Sequence, residues 1–159
     1  MCGIMGYIGK NNATEILLTG LKRMEYRGYD SVGFAILQGE SEIAVKKIQG
    51  KVHELKVSIT NQDFYGNIGI AHTRWATHGR PNRINAHPHL DCNNKIALVH
   101  NGIIENHRAL KKRLSQSGHK FNSETDTEII AHLIEELYET NLESAVRNSL
   151  KQLVGAYGL

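Results

Sequence analysis

The chain begins with MCGIMGYIG at residues 1–9, a short apolar run punctuated by glycine. Its apolar side chains after the first two residues are Ile4, Met5, Tyr7 and Ile8. A run of this length between glycines is typical of a buried strand. We therefore predict a strand at the start of the chain, with Cys2 at its edge.

Cys2 directly follows the initiator methionine, which changes what its backbone can do. Cysteine is small enough that we expect Met1 to be removed, which exposes the α-amino group of Cys2. A free α-amine has a pKa of about 7.7–8.0, so it can act as general base for the thiol of the same residue. Free cysteine is also among the most buried residue types. Position alone therefore leaves two interpretations open, a nucleophile with its own base and an inert core thiol.

After this first strand, segments with helical periodicity and segments with strand-like alternation occur along the whole chain. The predicted elements are a helix from Asn12 to Met24, a hairpin of Ser31–Leu37 and Glu42–Ile48, a short helix after Gly50, strands at Ile68–Ala71 and Lys95–Asn101, helices ending at Ser117, starting at Thr125 and covering Leu142–Leu153, and a last strand in GAYGL. These elements predict an α/β layered domain whose strand order the pattern leaves open.

Composition limits the classes of protein that fit. The 159 residues correspond to about one domain, so we treat residues 1–159 as one unit. The net charge of +3 is spread along the chain without a run of like charges, which disfavours a nucleic-acid or membrane surface. Neither a secretory leader nor an apolar run of 18 residues is present, and two cysteines cannot form a disulfide framework. We expect a cytoplasmic protein.

The segment HTRWATHG at residues 72–79 follows a predicted strand and combines polar and aromatic side chains. The guanidinium of Arg74 can hold a carboxylate with two hydrogen bonds, and Trp75 lies beside it. Thr77 and the backbone at Gly79 offer further hydrogen bonds. A solvated surface arginine is the competing interpretation of Arg74.

The segment HNGIIENH at residues 100–107 places Asn101 and Gly102 at a predicted strand end. The Asn101 amide and the Gly102 N–H can donate to a developing oxyanion. Asn-Gly is also the commonest hairpin turn, so a purely structural role competes. Asp126, in SETDTE, can pair with a substrate ammonium, but a carboxylate in the first turn of a helix is also ordinary capping chemistry.

Clustered histidines raise the question of a metal site. Five of the nine fall within 29 residues, namely His72, His78, His87, His89 and His100. Neither HExxH nor CxxC is present, and zinc needs three or four ligands with definite spacing, often with cysteine or carboxylate partners. We therefore predict no metal, and we interpret Cys92, in the polar segment DCNN, as an ordinary loop thiol.

Several motifs together carry a family resemblance. They are MCGIMGYIG, MEYRGYDS at residues 24–31, GIAHTRWATHG, NAHPH, LVHNGIIENH and SETDTE. In this order the chain resembles the class II glutamine amidotransferases, which are N-terminal nucleophile hydrolases. Within them it is most similar to the glutaminase domains of the glutamine:fructose-6-phosphate aminotransferase (isomerizing) family, the glucosamine-6-phosphate synthases. The resemblance implies an α+β fold of four layers, with two antiparallel sheets between helical layers.

The resemblance also implies roles for individual residues. Cys2 would attack the side-chain amide of glutamine and form a γ-glutamyl thioester, with Asn101 and Gly102 as the oxyanion hole. Arg74 would hold the α-carboxylate of glutamine and Asp126 its ammonium. The remaining implied site residues are Trp75, Thr77, His78 and Gly79 around the pocket, Arg27 near the N-terminus, and His87 and His100 close by. No cofactor is implied.

In the family, the released ammonia reaches a separate sugar-isomerase part that converts fructose 6-phosphate into glucosamine 6-phosphate. We expect this chain to hold the glutaminase part only, without the sugar-isomerase domains. We also expect it to be incomplete at its C-terminal end, which would leave sheet edges open to a homodimer. A catalytically inactive fragment that binds glutamine is the rival hypothesis, and a metal-dependent hydrolase is a more distant one.

Overall fold

The computed structural model describes residues 2–60, 64–76 and 79–159. Its strands are β1 (Gly3–Ile8), β2 (Ser31–Gln38), β3 (Glu42–Gln49), β4 (Ile68–Arg74), β5 (His89–Leu90), β6 (Ala97–Leu98), β7 (Asn101–Gly102) and β8 (Tyr157–Gly158). Its helices are α1 (Ala13–Met24), α2 (Val52–Ser58), α3 (His107–Gln116), α4 (Asp126–Glu136) and α5 (Leu142–Leu150), and a 3₁₀ turn covers Glu25–Arg27. Within the described residues, no helix is long and apolar enough to cross a bilayer.

The main sheet is antiparallel and has the strand order β1-β4-β2-β3. Its register pairs Gly3 with Thr73 and Ser31 with Arg74. Because Cys2 precedes Gly3 and Arg74 follows Thr73, both residues lie at the same end of the sheet. The first strand and the hairpin predicted from the sequence are both confirmed.

Two apolar clusters support this arrangement. In the first, α1 and α2 pack on the main sheet through fully buried Leu17, Leu21, Phe34 and Leu55. Asn12 starts α1, because its side-chain oxygen accepts from the Thr14 N–H at 3.2 Å. Burial of such side chains is worth about 1.5–3 kcal/mol each relative to exposure, so the hydrophobic face of α1 fixes the helix on the sheet.

The second cluster is formed by the three C-terminal helices around the short β5–β6 ladder. Its core includes Leu114 of α3, Ile130 and Leu133 of α4, and Ala145 of α5. Thr125 caps α4 by accepting from the Glu128 N–H at 3.4 Å. The Glu128 carboxylate accepts from the backbone N–H groups of Asn122 and Ser123, which lie just before the cap.

Two predictions about elements were wrong in detail. The single strand expected over Lys95–Asn101 is divided into β6 and β7, which pair with different partners, β5 and β8. The last helix ends at Leu150, three residues earlier than expected. The fold class is confirmed as α+β, with antiparallel sheets and helices packed against them.

Candidate active site

A cavity of about 380 Å³ opens where the end of the main sheet meets β7 and the start of α4. The residues that line it are Cys2, Arg27, His72, Arg74, Trp75, His87, His100, Asn101, Gly102, Ile103, Thr125, Asp126 and Thr127. Its volume is in the range of small-molecule sites, about 300–1,000 Å³. Nine of the twelve residues singled out from the sequence therefore meet at one cavity.

Three of the twelve are not among the cavity residues. Thr77 and His78 lie outside the described residues. Gly79 is described but does not line the cavity; its carbonyl accepts from Arg74 Nη2 at 3.4 Å. Gly79 thus contributes to the cavity by holding the Arg74 side chain.

Cys2 is half-buried, and its thiol points at the backbone of the strand end opposite it. Trp75 N–H donates to the sulfur at 3.2 Å, and the sulfur lies 3.5 Å from the Trp75 carbonyl. The backbone after β4 therefore fixes the thiol at the cavity wall. An inert core thiol does not fit this position, because Cys2 is only half-buried and borders a cavity together with Arg74, Asn101 and Asp126.

Asn101 lies between Cys2 and His72, and its orientation follows from its two partners. Asn101 Nδ2 donates to the Cys2 carbonyl oxygen at 3.2 Å, and His72 Nε2 lies 2.8 Å from Asn101 Oδ1. Because Oδ1 only accepts, His72 must carry its proton on Nε2. His72 is only 1% exposed, so it fixes the amide with its N–H side toward Cys2.

Gly102 adopts a backbone conformation that is costly for other residues. Its φ is 127°, and a Cβ built there would lie 2.3 Å from the Ala156 carbonyl oxygen. Asn101 and Gly102 form β7 and pair with Gly158 and Tyr157. The hairpin-turn interpretation of Asn-Gly is therefore wrong, since both residues belong to a strand that borders the cavity.

Arg74 ends β4 and is only 4% exposed, which contradicts the surface interpretation. Burial lowers the pKa of its guanidinium, while the charges of Asp30, Cys2 and Asp126 favour the protonated form. Its Nη1 lies 3.5 Å from the Arg80 carbonyl oxygen. A buried guanidinium at a cavity wall is suited to a carboxylate, which it can bind with two parallel hydrogen bonds.

Asp126 is the first residue of α4, but the cap of that helix is Thr125. The Asp126 carboxylate is buried and accepts from the Ile104 N–H at 2.9 Å. Its other oxygen lies 4.0 Å from His100 Nδ1. Asp126 therefore presents a carboxylate at the cavity in place of a structural cap.

A chain of hydrogen bonds orients the two histidines behind the cavity. The backbone N–H of His100 donates to His87 Nδ1 at 3.3 Å. The neutral His87 ring therefore carries its proton on Nε2. That Nε2 lies 3.3 Å from Thr127 Oγ1, which in turn lies 2.9 Å from His100 Nδ1. The network holds both rings through Thr127.

The rim of the cavity is aromatic and basic. Trp75 is 48% exposed, and its ring packs edge-on against Tyr29 with centroids 5.4 Å apart. Arg27, in the 3₁₀ turn, stacks its guanidinium over the Tyr26 ring at 5.1 Å while lining the cavity. The rim therefore places an exposed indole and a guanidinium beside the buried charges of Arg74 and Asp126.

Besides the cavity residues Ile103 and Thr125, three residues that orient groups at the site were not identified from the sequence as site residues. They are His72, Thr127 and Asp30, whose carboxylate accepts from the Ala76 N–H and from Ser31 Oγ. Asp30 lies inside the motif MEYRGYDS and His72 is the first residue of HTRWATHG, so the motifs singled out from the sequence already contained both residues. The only sequence signal for Thr127 was its position in SETDTE. Its role depends on the rings of His87 and His100, which are distant in sequence.

The buried histidines make stability depend on pH. Burial lowers the pKa of His72 to about 4, and it lowers the pKa of His87 and His89 as well. The unfolded chain then binds more protons below pH 6.5, so stability is lost as the pH falls from 6.5 toward 4. We expect His72 alone to cost about 2 kcal/mol between pH 7 and pH 5.

Urea unfolding at pH 7 and pH 5 measures this loss. His72→Gln keeps a side-chain N–H donor but cannot titrate, so its stability should change less between the two pH values than that of the parent. His53→Gln, at an exposed position, is the matched control and should keep the parental pH dependence. Equal unfolding free energies of the parent at pH 7 and pH 5 would contradict the prediction.

Comparisons with known proteins agree on a family. The Glutamine amidotransferase domain family matches residues 56–147. The whole chain is 56% identical to part of the glutamine–fructose-6-phosphate aminotransferase [isomerizing] of Pyrococcus horikoshii and 52% identical to part of that of Bacteroides thetaiotaomicron. The chain spans only 27% and 26% of the lengths of these relatives.

Solved structures show the same fold. The glutamine phosphoribosylpyrophosphate amidotransferase of B. subtilis, complexed with ADP and GMP, aligns with 99% of this chain at a TM-score of 0.84 and 31% identity. A second structure, described as the allosteric regulatory enzyme of purine biosynthesis, aligns at a TM-score of 0.85 and 32% identity. The chain covers 34% of each of these two proteins.

Proposed function

This chain belongs to the glutamine amidotransferase domain family, and we propose that it hydrolyses the side-chain amide of L-glutamine to glutamate and ammonia. The observation that carries the proposal is the convergence of Cys2, Asn101, Arg74 and Asp126 on one cavity. These residues come from four parts of the chain, and each supplies a group that amide hydrolysis by a thiol requires.

The chemical step begins at Cys2. With Met1 removed, the α-amine takes the thiol proton as the sulfur attacks the amide carbon, forming a C–S bond and an oxyanion. Asn101 Nδ2 and the Gly102 N–H donate to this oxyanion. When the C–N bond breaks, the protonated amine gives its proton to the leaving nitrogen. Water then hydrolyses the thioester to glutamate and restores the thiol.

Recognition of glutamine divides between two opposite charges. The Arg74 guanidinium binds the α-carboxylate, and the Asp126 carboxylate binds the α-ammonium. Both side chains are buried, so their charges are poorly screened by solvent and select for a zwitterionic amino acid. Trp75 borders the pocket, Gly79 holds Arg74 through its carbonyl, and Thr77 and His78 are proposed to close the pocket. Arg27 is proposed to orient the N-terminus, and His87 and His100 line the pocket without a distinct chemical step.

The destination of the ammonia is the second part of the proposal. Relatives that match the whole chain are named glutamine–fructose-6-phosphate aminotransferases, and this chain corresponds to about a quarter of their length. We propose that residues 1–159 form a glutaminase domain whose ammonia aminates fructose 6-phosphate to give glucosamine 6-phosphate. That amination requires residues beyond these 159.

Glutaminase activity tests the proposal directly. The purified chain, with removal of Met1 verified by intact mass, should release equal amounts of glutamate and ammonium from L-glutamine. D-Glutamine should react far more slowly, because its α-carboxylate and ammonium cannot meet Arg74 and Asp126 while its amide reaches Cys2. Binding of L-glutamine by calorimetry without any release of ammonium would contradict the proposed activity.

A further inference from the structure

Four metal-binding side chains meet at a place remote from the cavity. Cys92 lies just after β5, His119 follows α3, and His132 and Glu135 lie one turn apart on α4. One ligand atom from each residue lies within 4.8 Å of all the others. Glu135 is nine residues from Asp126 on the same helix, or roughly 13 Å along its axis. The cluster is therefore separate from the candidate active site.

The distances among these atoms match a tetrahedral zinc site. The two Nδ1 atoms of His119 and His132 lie 3.2 Å apart, and Cys92 Sγ lies 3.7 Å and 3.3 Å from them. Zinc with bonds of about 2.05 Å to nitrogen and 2.3 Å to sulfur requires separations of about 3.3 Å and 3.6 Å in a tetrahedron. The side chains are thus placed around a point that a zinc ion would fill.

Glu135 supplies the fourth vertex of the tetrahedron. Its Oε2 lies 3.2 Å from His119 Nδ1 and 3.4 Å from His132 Nδ1. The Cys92 N–H donates to the same oxygen at 3.1 Å, and Asn93 Nδ2 donates to Oε1 at 2.7 Å. The carboxylate is therefore held in place by the Cys92 backbone and the Asn93 amide, as metal-ligating carboxylates usually are held by further hydrogen bonds.

The buried ring of His132 gives an independent indication. If Nδ1 binds a metal, the proton of the neutral ring stays on Nε2. Nε2 is buried without a hydrogen-bond partner among the described residues, and it lies 3.8 Å from the Glu128 carboxylate. At 3.8 Å this carboxylate is too far for a hydrogen bond, but its charge favours the tautomer with the proton on Nε2, which leaves Nδ1 to bind the metal.

We propose that Cys92, His119, His132 and Glu135 bind one Zn²⁺ ion in a structural site. The donor set of one sulfur, two imidazole nitrogens and one carboxylate oxygen suits zinc rather than magnesium or calcium. A thiolate and a carboxylate also balance the double charge of the ion. Four protein ligands leave no position for substrate, so the ion would tie the loops at Cys92 and His119 to α4 without taking part in glutamine hydrolysis.

Spacing rules did not indicate this site, because its ligands are spread over 44 residues and only His132 and Glu135 are neighbours on one element. His119 and His132 also lie outside the run of five histidines that first suggested a metal. Only the packing of β5 and α3 against α4 brings the four side chains together. The prediction that Cys92 is an ordinary loop thiol is replaced by this proposal.

Zinc content of the full chain tests the site. The protein is freed of metal with a chelator, loaded with Zn²⁺, desalted and measured by mass spectrometry of the metal, with affinity obtained by competition. We expect one zinc per chain in the parent and in Cys2→Ser, which removes the other cysteine. Cys92→Ser and His119→Gln, at less buried positions than His132, should lose the ion while keeping the parental far-UV circular dichroism.

Two further readouts distinguish ligation from folding effects. Loading with Co²⁺ should give tetrahedral visible bands and a thiolate charge-transfer band that Cys92→Ser abolishes and Cys2→Ser retains. Asn93→Ala, which releases Glu135, should weaken zinc binding by about 10–100-fold. The proposal is overturned if the parent holds no zinc, if Cys92→Ser and His119→Gln retain one ion each, or if only Cys2→Ser loses it.

Discussion

Cys2→Ala is expected to lower the rate of glutamate release from L-glutamine by at least about a thousandfold. The substitution removes the sulfur that forms the thioester, and no hydroxyl or thiol of another described cavity residue occupies its place beside Trp75. The loss should appear in kcat. A coupled assay for glutamate under saturating glutamine measures it.

The same variant separates loss of chemistry from loss of structure. Cys2→Ala keeps Arg74 and Asp126, so calorimetry should still detect binding of L-glutamine, and thermal unfolding should stay close to that of the parent. A denatured variant would bind nothing. If Cys2→Ala retained activity within tenfold of the parent, the thiol would not be the nucleophile, even though the family assignment would stand.

Asn101→Ala is expected to lower kcat by about 10²–10³-fold, with a smaller change in KM. The variant removes the Nδ2 donor that His72 directs toward Cys2. In the proposed mechanism that donor acts only when the amide oxygen becomes negative. Steady-state kinetics at several glutamine concentrations separate the two parameters.

Asn101→Asp sharpens this experiment, because it keeps the size of the side chain and removes both N–H groups. It should lose at least as much kcat as the alanine variant. Asn148→Ala, at an exposed position on α5, is the matched control and should keep the parental kinetics. A loss confined to KM in both Asn101 variants would show that Asn101 binds substrate without stabilising the oxyanion.

Much of the fold follows from local patterns. The run from Gly3 to Ile8, the capped helix that starts after Asn12 and the hairpin of β2 and β3 were all predicted, because strand alternation and helix capping are properties of adjacent residues. The division of residues 95–101 into β6 and β7 was missed. β6 pairs with β5, which precedes it in the chain, and β7 pairs with β8, which follows much later. A local sequence pattern cannot predict such a change of partner.

The residues of the candidate site differed in how far the sequence alone could assign them. Cys2 could be singled out on chemical grounds, since only a residue next to the initiator methionine can combine a thiol with its own α-amine, but an inert core thiol remained an open interpretation. Arg74, Asn101 and Asp126 each had an ordinary structural interpretation, and the family resemblance decided among them. The structure adds burial and direction to these assignments.

Other features depend on contacts between distant segments. His72 orients the Asn101 amide across 29 residues, and Thr127 joins two histidine rings that lie 40 and 27 residues away in the chain. The cluster of Cys92 with His119, His132 and Glu135 arises in the same way. Residue types and periodicity determine which elements form and which groups are reactive, because those depend on neighbours along the chain. Which reactive groups meet is decided only when apolar faces pack, since the buried surfaces of sheet and helices set the distances between them.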